Sequence, residues 1–385
     1  MSTAPAKGQE SLTPGRATPE GTAAYRDRFA DKAADGHFRA YQDLWVSSVG
    51  IGTYLGDEDN ETDRLYRDAI GQCLALGCNV VDTAVNYRCQ RSERSIGEGL
   101  REVFSKGDIR REDVVVATKG GFIPFEGKQP TNREEYLGYI VKTFLQPGII
   151  QTEDIAAGCH CMTPAYIDHQ LDTSRNNLGL ECLDVYYVHN PETQLQEVSR
   201  LEFMNRIRAA FETLEKNVAE GKIARYGTAT WTAYRQKPDQ QDYLPLTELV
   251  KTAEEVGGKD HHFRAIQLPL NLAMAEAVGS PNQPVGEEMV SLLAAADHFG
   301  ISVMASASIY QGKVAKELPD FVAEAFPGFE TDAQRAIQFV RSTPGMSVAL
   351  VGMKQAAHVE ENLAVAGVPT ASLEDYAKLF RKPAG

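Results

Sequence analysis

The sequence predicts an α/β fold, a (β/α)8 TIM barrel with long loop insertions. Three observations predict it. Short β-branched runs alternate with helical segments, and eight such pairs can be counted along the chain. Three of the runs deliver an ionisable residue near their ends: Asp82 in 79–83, Lys119 in 114–119 and His189 in 183–189. Barrels of this class assemble their sites from groups at the C-terminal ends of several strands. Finally, 385 residues with 43% hydrophobic content suffice for one large core carrying insertions.

Composition excludes several classes. A formal net charge of −14 argues against nucleic acid as a partner, because such binders carry basic patches. No run of 18 apolar residues exists, so no membrane span is expected. Residues 1–43 read as a partly disordered N-terminal leader. Its first 21 or so residues are rich in Ser, Thr, Pro, Gly and Ala and lack the apolar centre of a signal peptide. Residues 23–41 are polar and partly helical, with a possible place as a cap under the barrel. Residues 44–385 then form one catalytic barrel. Six cysteines without an export signal point to thiols in a reducing compartment, and so to a cytoplasmic protein.

The elements follow in order. Residues 44–55 hold a first strand running into Gly50, Gly52 and Gly56. The glycine spacing resembles a dinucleotide fingerprint, but the third glycine is one residue late and no acidic residue follows at the right strand end. It is better read as a turn that lets a flat ligand approach the backbone. A helix after Asp63 carries Tyr66, Ile70 and Cys73 on one repeat, and the strand 79–83 follows. Ser92 is the expected N-cap of the next helix, which holds Ile96, Leu100 and Phe104. The strand 114–118 comes next. Residues 120–163 then break the rhythm with Gly, Pro and aromatics, and read as a partly ordered lid over one rim. Pro164 opens a helix, and 183–188 is a strand. Phe203, Ile207, Ala210, Phe211, Leu214 and Val218 form one helical stripe. Strands are expected at 223–228, 263–268, 301–305 and 347–351, and helices at 246–256, 285–299, 332–340 and 355–365. A second polar insertion covers 234–243.

Tyr87 lies five residues beyond Asp82. A free phenol has a pKa of about 10, which a neighbouring ammonium can lower by about 1 to 3 units. Lys119, held by Asp82, could supply that ammonium. Tyr87 would then protonate a carbonyl oxygen as hydride reaches the carbon, with His189 steadying the oxygen. The chain has no hydride of its own, so a reduced nicotinamide or flavin must bring it. A single Asp, Tyr, Lys or His at a strand end is ordinarily structural, and the pattern alone permits both readings.

Several motifs together resemble the aldo-keto reductase family. They are Asp82-Thr-Ala-x-x-Tyr87 with Ser92, Glu93 and Gly97; Ala117-Thr-Lys119; Leu183-Asp-x-Tyr-x-x-His189-x-Pro191; Gly221-Lys-Ile-x-Arg-x-Gly227; Gln267 with Asn271; and Glu361 with Asn362. The resemblance spans about residues 47–367 and implies a (β/α) barrel that reduces carbonyls with NADPH, or with NADH. It implies Tyr87 as acid/base, Asp82 and Lys119 as its tuning pair, and His189 as the group orienting a small-molecule carbonyl or alcohol substrate. Around the cofactor it implies Gly52, Thr53, Asp82, Asn190, Thr230, Gln267, Ser306 and Gly312 near the nicotinamide and phosphates. It implies Gly352, Lys354, Gln355, Glu361 and Asn362 at the adenosine end. No metal is part of the pattern.

The departures are specific. Ser306 stands where the family usually has an aromatic stacked on the nicotinamide, and Trp231 where Asn or Glu is common. At the 2′-phosphate end Lys354 is present, but Gln355 replaces the usual arginine, which leaves NADH open beside NADPH. Cys159, His160 and Cys161 lack the spacing of a structural zinc site and are expected to pack against the barrel mouth. His261 and His262 precede a strand and fall on the barrel's stability face. Two other functions remain compatible with the sequence. One is a cofactor-binding barrel with a regulatory or partner role. The other is a non-redox elimination or epimerisation that retains its nicotinamide.

Overall fold

The computed structural model describes residues 11–380. Twelve strands run in chain order: β1 Phe38–Tyr41, β2 Leu44–Ser47, β3 Val49–Gly52, β4 Val80–Asp82, β5 Val115–Gly120, β6 Leu183–His189, β7 Ile223–Ala229, β8 Phe263–Pro269, β9 Gln283–Val285, β10 Glu288–Val290, β11 Ser302–Ser306 and β12 Met346–Gly352. Eight of them, β3 to β8 with β11 and β12, close into a parallel barrel. The register Gly52↔Asp82↔Ala117 aligns the first three strands, so their C-terminal ends open on one rim. The expected fold class is therefore the observed one.

The barrel has two apolar layers, as its alternating side chains require. Inward residues such as Val80, Val115, Val185, Met304 and Val348 fill the interior. Outward residues pack beneath the helices. In helix Arg200–Ala219 the predicted stripe Phe203, Ile207, Phe211 and Leu214 is fully buried. Each such side chain contributes roughly 1.5–3 kcal/mol. Two motif glycines owe their identity to close approach. A Cβ on Gly97 would sit 2.6 Å from the Asn177 carbonyl oxygen of the neighbouring helix, and one on Gly227 would sit 1.8 Å from that of Ala265 on the adjacent strand.

The described part of the segment before residue 44 is folded, while residues 1–10 of the expected leader lie outside the described residues. Helix Pro19–Asp27 is capped by the Thr18 side chain, and the β1–β2 hairpin folds under the barrel. Tyr41, Leu44 and Val46 of that hairpin belong to the interior core, so this segment is the barrel's floor. Upstream, the Ala17 amide donates to the Asp184 carboxylate at 2.7 Å. The expected strand over 44–55 is accordingly two strands, β2 in the hairpin and β3 in the barrel.

Three other expectations change. Ser92 is not the cap of helix Arg91–Lys106; Gln90 holds that position, and the buried Ser92 hydroxyl donates to the Thr53 carbonyl at 2.8 Å. The first part of the helix expected over 285–299 is the β9–β10 hairpin, with the helix confined to Leu292–His298. The insertion 120–163 is more ordered than a loop. It holds helix Arg133–Ile140 and a core of its own, in which Ile123, Ile140, Phe144, Ile150 and Tyr166 are buried. Among the described residues no helix is long and apolar enough to cross a membrane.

Candidate active site

A cavity of about 660 Å³ opens at the C-terminal rim of the barrel. Its size falls in the range of small-molecule and cofactor pockets. Asp82, at the end of β4, accepts from Lys119 Nζ at 2.6 Å through Oδ2 and from Gln267 Nε2 at 2.7 Å through Oδ1. Lys119 also donates to the Thr83 carbonyl at 2.8 Å and is fully buried. Burial by itself would lower the lysine, but the Asp82 charge reverses this and leaves it raised, hence protonated.

Tyr87 faces the cavity from the turn after β4. The Lys119 ammonium lies 4.9 Å from its ring centre, the His189 ring 5.8 Å and the Tyr54 ring 5.1 Å. The expected lowering of the phenol does not prevail: burial raises Tyr87 above its ordinary value, and Lys119 only partly offsets it. The phenol therefore holds its proton at neutral pH. The chain just after it is left-handed, with φ of 48°, 54° and 70° at Arg88, Cys89 and Gln90. Three such residues without glycine cost on the order of 1 kcal/mol each. Arg88 holds the turn, donating to the Asp57 carbonyl at 2.8 Å and pairing with Asp63 at 2.5 Å.

His189 closes the acid–base side. Burial first, then the charge of Lys119, drives its imidazole well below the ordinary value, so it is neutral. Its Nδ1 is buried without a partner. His160 lies beneath it. Nε2 of His160 contacts the His189 carbonyl at 2.7 Å and Nδ1 contacts Gln194 Nε2 at 2.8 Å. A carbonyl only accepts and an amide NH2 only donates, so His160 is the neutral Nε2–H tautomer. Burial takes it down to about 4. Both ring nitrogens are engaged, and Cys161 Sγ lies 3.5 Å from the Thr163 hydroxyl, so this triplet supports the base of His189. The ring of Phe122, from the 120–163 insertion, meets both imidazoles edge-on at 5.1–5.2 Å and lines the cavity. His262 bonds Glu215 at 2.7 Å at the N-terminal end of β8, away from the cavity.

Gly52, Thr53, Asn190, Thr230, Gln267, Ser306, Gly312, Gly352, Lys354 and Gln355 all line the same cavity. Thr53 Oγ1 bonds the Asp82 carbonyl at 3.2 Å, and Thr230 Oγ1 is buried without a partner. The segment after β11 is again left-handed at Ala307, Tyr310, Gln311 and Gly312 (φ 53°, 46°, 55° and 84°). The Lys354 ammonium lies over Gly56, where a Cβ would come within 2.7 Å of it, and has no ion partner among the described residues. Glu361 and Asn362 stand apart. They lie on helix Ala356–Leu363 and do not line the cavity, whereas His358 of the same helix does.

Tyr54 and Asn86 also line the cavity, and Glu192 lies three residues beyond His189; the sequence alone singles out none of the three. Tyr54 sits inside the glycine-rich turn and Asn86 beside Tyr87, so both lay within recognised motifs. Glu192 follows His189 by three residues, and only the fold reveals its contacts. Its Oε1 accepts from the amides of Trp231 and Thr232 at 2.8 and 3.2 Å, and burial pushes its carboxyl up to about 7.

Residues 48–239 match the model of the aldo/keto reductase family, and the chain belongs to that family. Aldose reductase B of Dictyostelium discoideum is 35% identical over 38% of this chain and 33% of its own length. The NADH-specific methylglyoxal reductase of Escherichia coli is 26% identical over 54% of each. The chain thus aligns with about a fifth to a half of the length of such curated relatives. Solved structures extend the likeness as fold alone. A Klebsiella pneumoniae aldo/keto reductase in complex with NADP and acetate aligns with TM-score 0.60 and 20% identity over 90% of this chain and 94% of that one. The glycerol dehydrogenase of Gluconobacter oxydans gives 0.62 and 18% over 90% and 95%.

Proposed function

We propose that this protein is an NAD(P)H-dependent oxidoreductase that interconverts a small aldehyde or ketone and its alcohol. The observation carrying this reading is the Tyr87–Lys119–Asp82 arrangement facing His189 across one cavity. Cofactor binding is supported by a cavity of ligand-pocket size, by the orphaned Thr230 hydroxyl lining it and by the Lys354 cation in its wall, which has no ion partner among the described residues. NADPH is favoured because Lys354 suits a 2′-phosphate, and relatives in this fold carry NADP; NADH stays in scope because Gln355 adds no second cation.

When bound, the reduced nicotinamide supplies the hydride. Everything else falls to the chain. His189, neutral, donates an N–H to the substrate oxygen and holds it near Tyr87. Tyr87 gives that oxygen its proton, forming the O–H bond of the alcohol. The buried Lys119 ammonium balances the negative charge left on the phenolate, and Asp82 keeps Lys119 charged and aimed. Gln267, donating to Asp82, fixes the carboxylate. A cytoplasmic location is supported by six cysteines that are all unpaired.

Fluorescence titration with NADPH and NADH, followed by an aldehyde panel, tests the reading. Saturable binding with carbonyl-dependent oxidation of the cofactor is expected. Binding without turnover of any carbonyl would overturn the reductase assignment, and no binding of either nucleotide would remove the cofactor as well.

A further inference from the structure

Four groups face the reacting end of the cavity, and the barrel itself places three of them. Asp82 ends β4, Lys119 lies in β5 and His189 ends β6, each fixed by the ladder of its strand. Tyr87 belongs to no strand. It lies five residues beyond Asp82, in the turn that leads to helix Arg91–Lys106. That helix is held by its own buried face, which includes Ile96 and Leu100. With both ends fixed, the direction of Tyr87 depends on how the chain crosses residues 88–90.

The crossing is intrinsically unfavourable. Arg88, Cys89 and Gln90 are all left-handed, and none is glycine. Such backbone persists only where its surroundings over-determine it. The Arg88 side chain, 1% exposed, supplies that restraint. Its Nε donates to the Asp57 carbonyl at 2.8 Å, and Nη2 donates to the Asp59 carbonyl at 3.3 Å and to the Asp63 carboxylate at 2.5 Å. Its guanidinium carbon lies 5.6 Å from the centre of the Tyr66 ring. Nη1 is buried without an acceptor among the described residues, so the charge is kept here at a cost to stability. One guanidinium thus ties the turn to segment 53–59 and to helix Asn60–Ala75. Neighbouring bonds close the same seam: the Ser92 hydroxyl reaches the Thr53 carbonyl at 2.8 Å and the Cys89 thiol reaches Glu58 at 3.2 Å. Segment 53–59 carries Tyr54, whose ring meets Tyr87 edge-on at 5.1 Å. The seam therefore fixes the phenol and the wall beside it together.

We propose that Arg88 is the positioning residue of this site: acting through the left-handed turn, its buried guanidinium sets the Tyr87 phenol against Lys119 and Tyr54. The role of Tyr87 as an acid rests on the reductase reading, whereas its placement by Arg88 does not. Without the anchor, residues 88–90 relax toward right-handed backbone and the ring leaves its seat, while Asp82, Lys119 and His189 stay on their strands.

Two readouts on the full chain test this. The first needs no turnover. Tyrosine labelled with carbon-13 at Cζ reports the ionisation of each phenol by NMR, and the Tyr87 resonance is the one missing from Tyr87→Phe. Lys119, Asp82, Tyr54, Tyr66 and His189 are the titratable groups around it. Burial holds the wild-type phenol above its ordinary value; in Arg88→Ala the midpoint should fall to about 10, that of an exposed tyrosine. The second readout is turnover. In Arg88→Ala kcat for carbonyl reduction should fall by about tenfold or more, because small misplacements of a reacting group cost up to about 10²-fold, with NADPH affinity within about threefold. Arg88→Gly adopts φ 48° without strain, so its kcat should exceed that of Arg88→Ala by about threefold or more. A folded Arg88→Ala with the wild-type midpoint and kcat would overturn the proposal, and so would losses that Arg88→Gly leaves undiminished. If Arg88→Ala does not fold, Arg88→Lys takes its place. It keeps a charge beside Asp63 without the fork that spans the two carbonyls, and should lower the midpoint in the same direction; an unshifted midpoint would overturn the assignment. If the wild type reduces no carbonyl, the reductase reading fails alone, and the carbon-13 midpoints still decide whether Arg88 holds Tyr87.

Discussion

The two sides of the cavity are built differently. On the side of β4 to β6, each charged group is already matched. Lys119, Asp82 and Gln267 form a closed chain of bonds of 2.6–2.7 Å, and His189 rests on a His160 whose two nitrogens are both engaged. On the side of β11 and β12, polar groups stand open. Lys354 has no ion partner among the described residues, and Ala307, Tyr310 and Gln311 hold left-handed backbone without glycine. The first side is organised before anything binds, as charge stabilisation at the reacting atoms demands. On the proposed reading, the second side keeps its cation and backbone available for a ligand that brings its own charge.

The largest effect that would break this comparison is expected at Tyr87, the acid of the proposed reaction. Tyr87→Phe should lower kcat by about 10²–10⁴-fold, the usual contribution of a placed acid, with NADPH affinity within about threefold in the same fluorescence titration. Affinity lost in parallel would make Tyr87 structural. Next, Lys119→Met should destabilise the fold by about 3–5 kcal/mol in urea, because it leaves the Asp82 carboxylate buried and unpaired. Adding Asp82→Asn to it should recover part of that loss; no recovery would mean that packing, not charge, sets the cost.

Acid should loosen the same side. His160 titrates near 4 when folded against about 6.5 unfolded, so the unfolded chain binds the extra proton first. Its contribution is therefore complete above pH 6.5 and is lost as pH falls toward 4, by about 3 kcal/mol in all. His160→Gln should flatten that part of the stability–pH curve, measured by denaturation between pH 4 and 7. A curve parallel to that of the wild type would overturn the lowered pKa of His160.

On the open side the effects are smaller and lie in binding. Lys354→Ala should weaken NADPH by about 10-fold or more, since hydrogen bonds to charged groups contribute about 1.5–3 kcal/mol, while NADH changes less than about twofold. Equal losses would place Lys354 away from the 2′-phosphate. Smallest of all, Ala307→Gly should stabilise the free protein by about 1 kcal/mol in urea, because glycine adopts φ 53° without strain. A loss of stability would mean that surrounding contacts hold that turn more firmly than its backbone conformation suggests.

Much of the closed side could be read from residue order. Asp82, Lys119 and His189 end strands, and strand ends follow from β-branched runs whose period and length are local properties. The stripe from Phe203 to Leu214 was equally legible, because helical period is written into a single segment. Other features were not local. The floor hairpin is not legible as a hairpin in the sequence, since its apolar residues Tyr41, Leu44 and Val46 acquire a shared partner only once a barrel closes above them. The helix in 120–163 escaped notice because its apolar residues face a small satellite core and not the barrel. Ser92 resembled a cap, yet the chain enters that helix through three left-handed residues that no propensity would select.

The sequence by itself determined the eight-fold strand–helix rhythm and the identities of the groups at the rim, because periodicity and residue type survive in one dimension. Tertiary structure decided their states. Burial, which only the closed barrel creates, raised the Tyr87 phenol where a neighbouring lysine alone would have lowered it. Contact across the chain placed His160 under His189 and turned Glu192 toward Trp231. It also left Glu361 and Asn362 off the cavity wall although their helix reaches it at His358. Desolvation and through-space pairing depend on which distant segments meet, and that information exists only after folding.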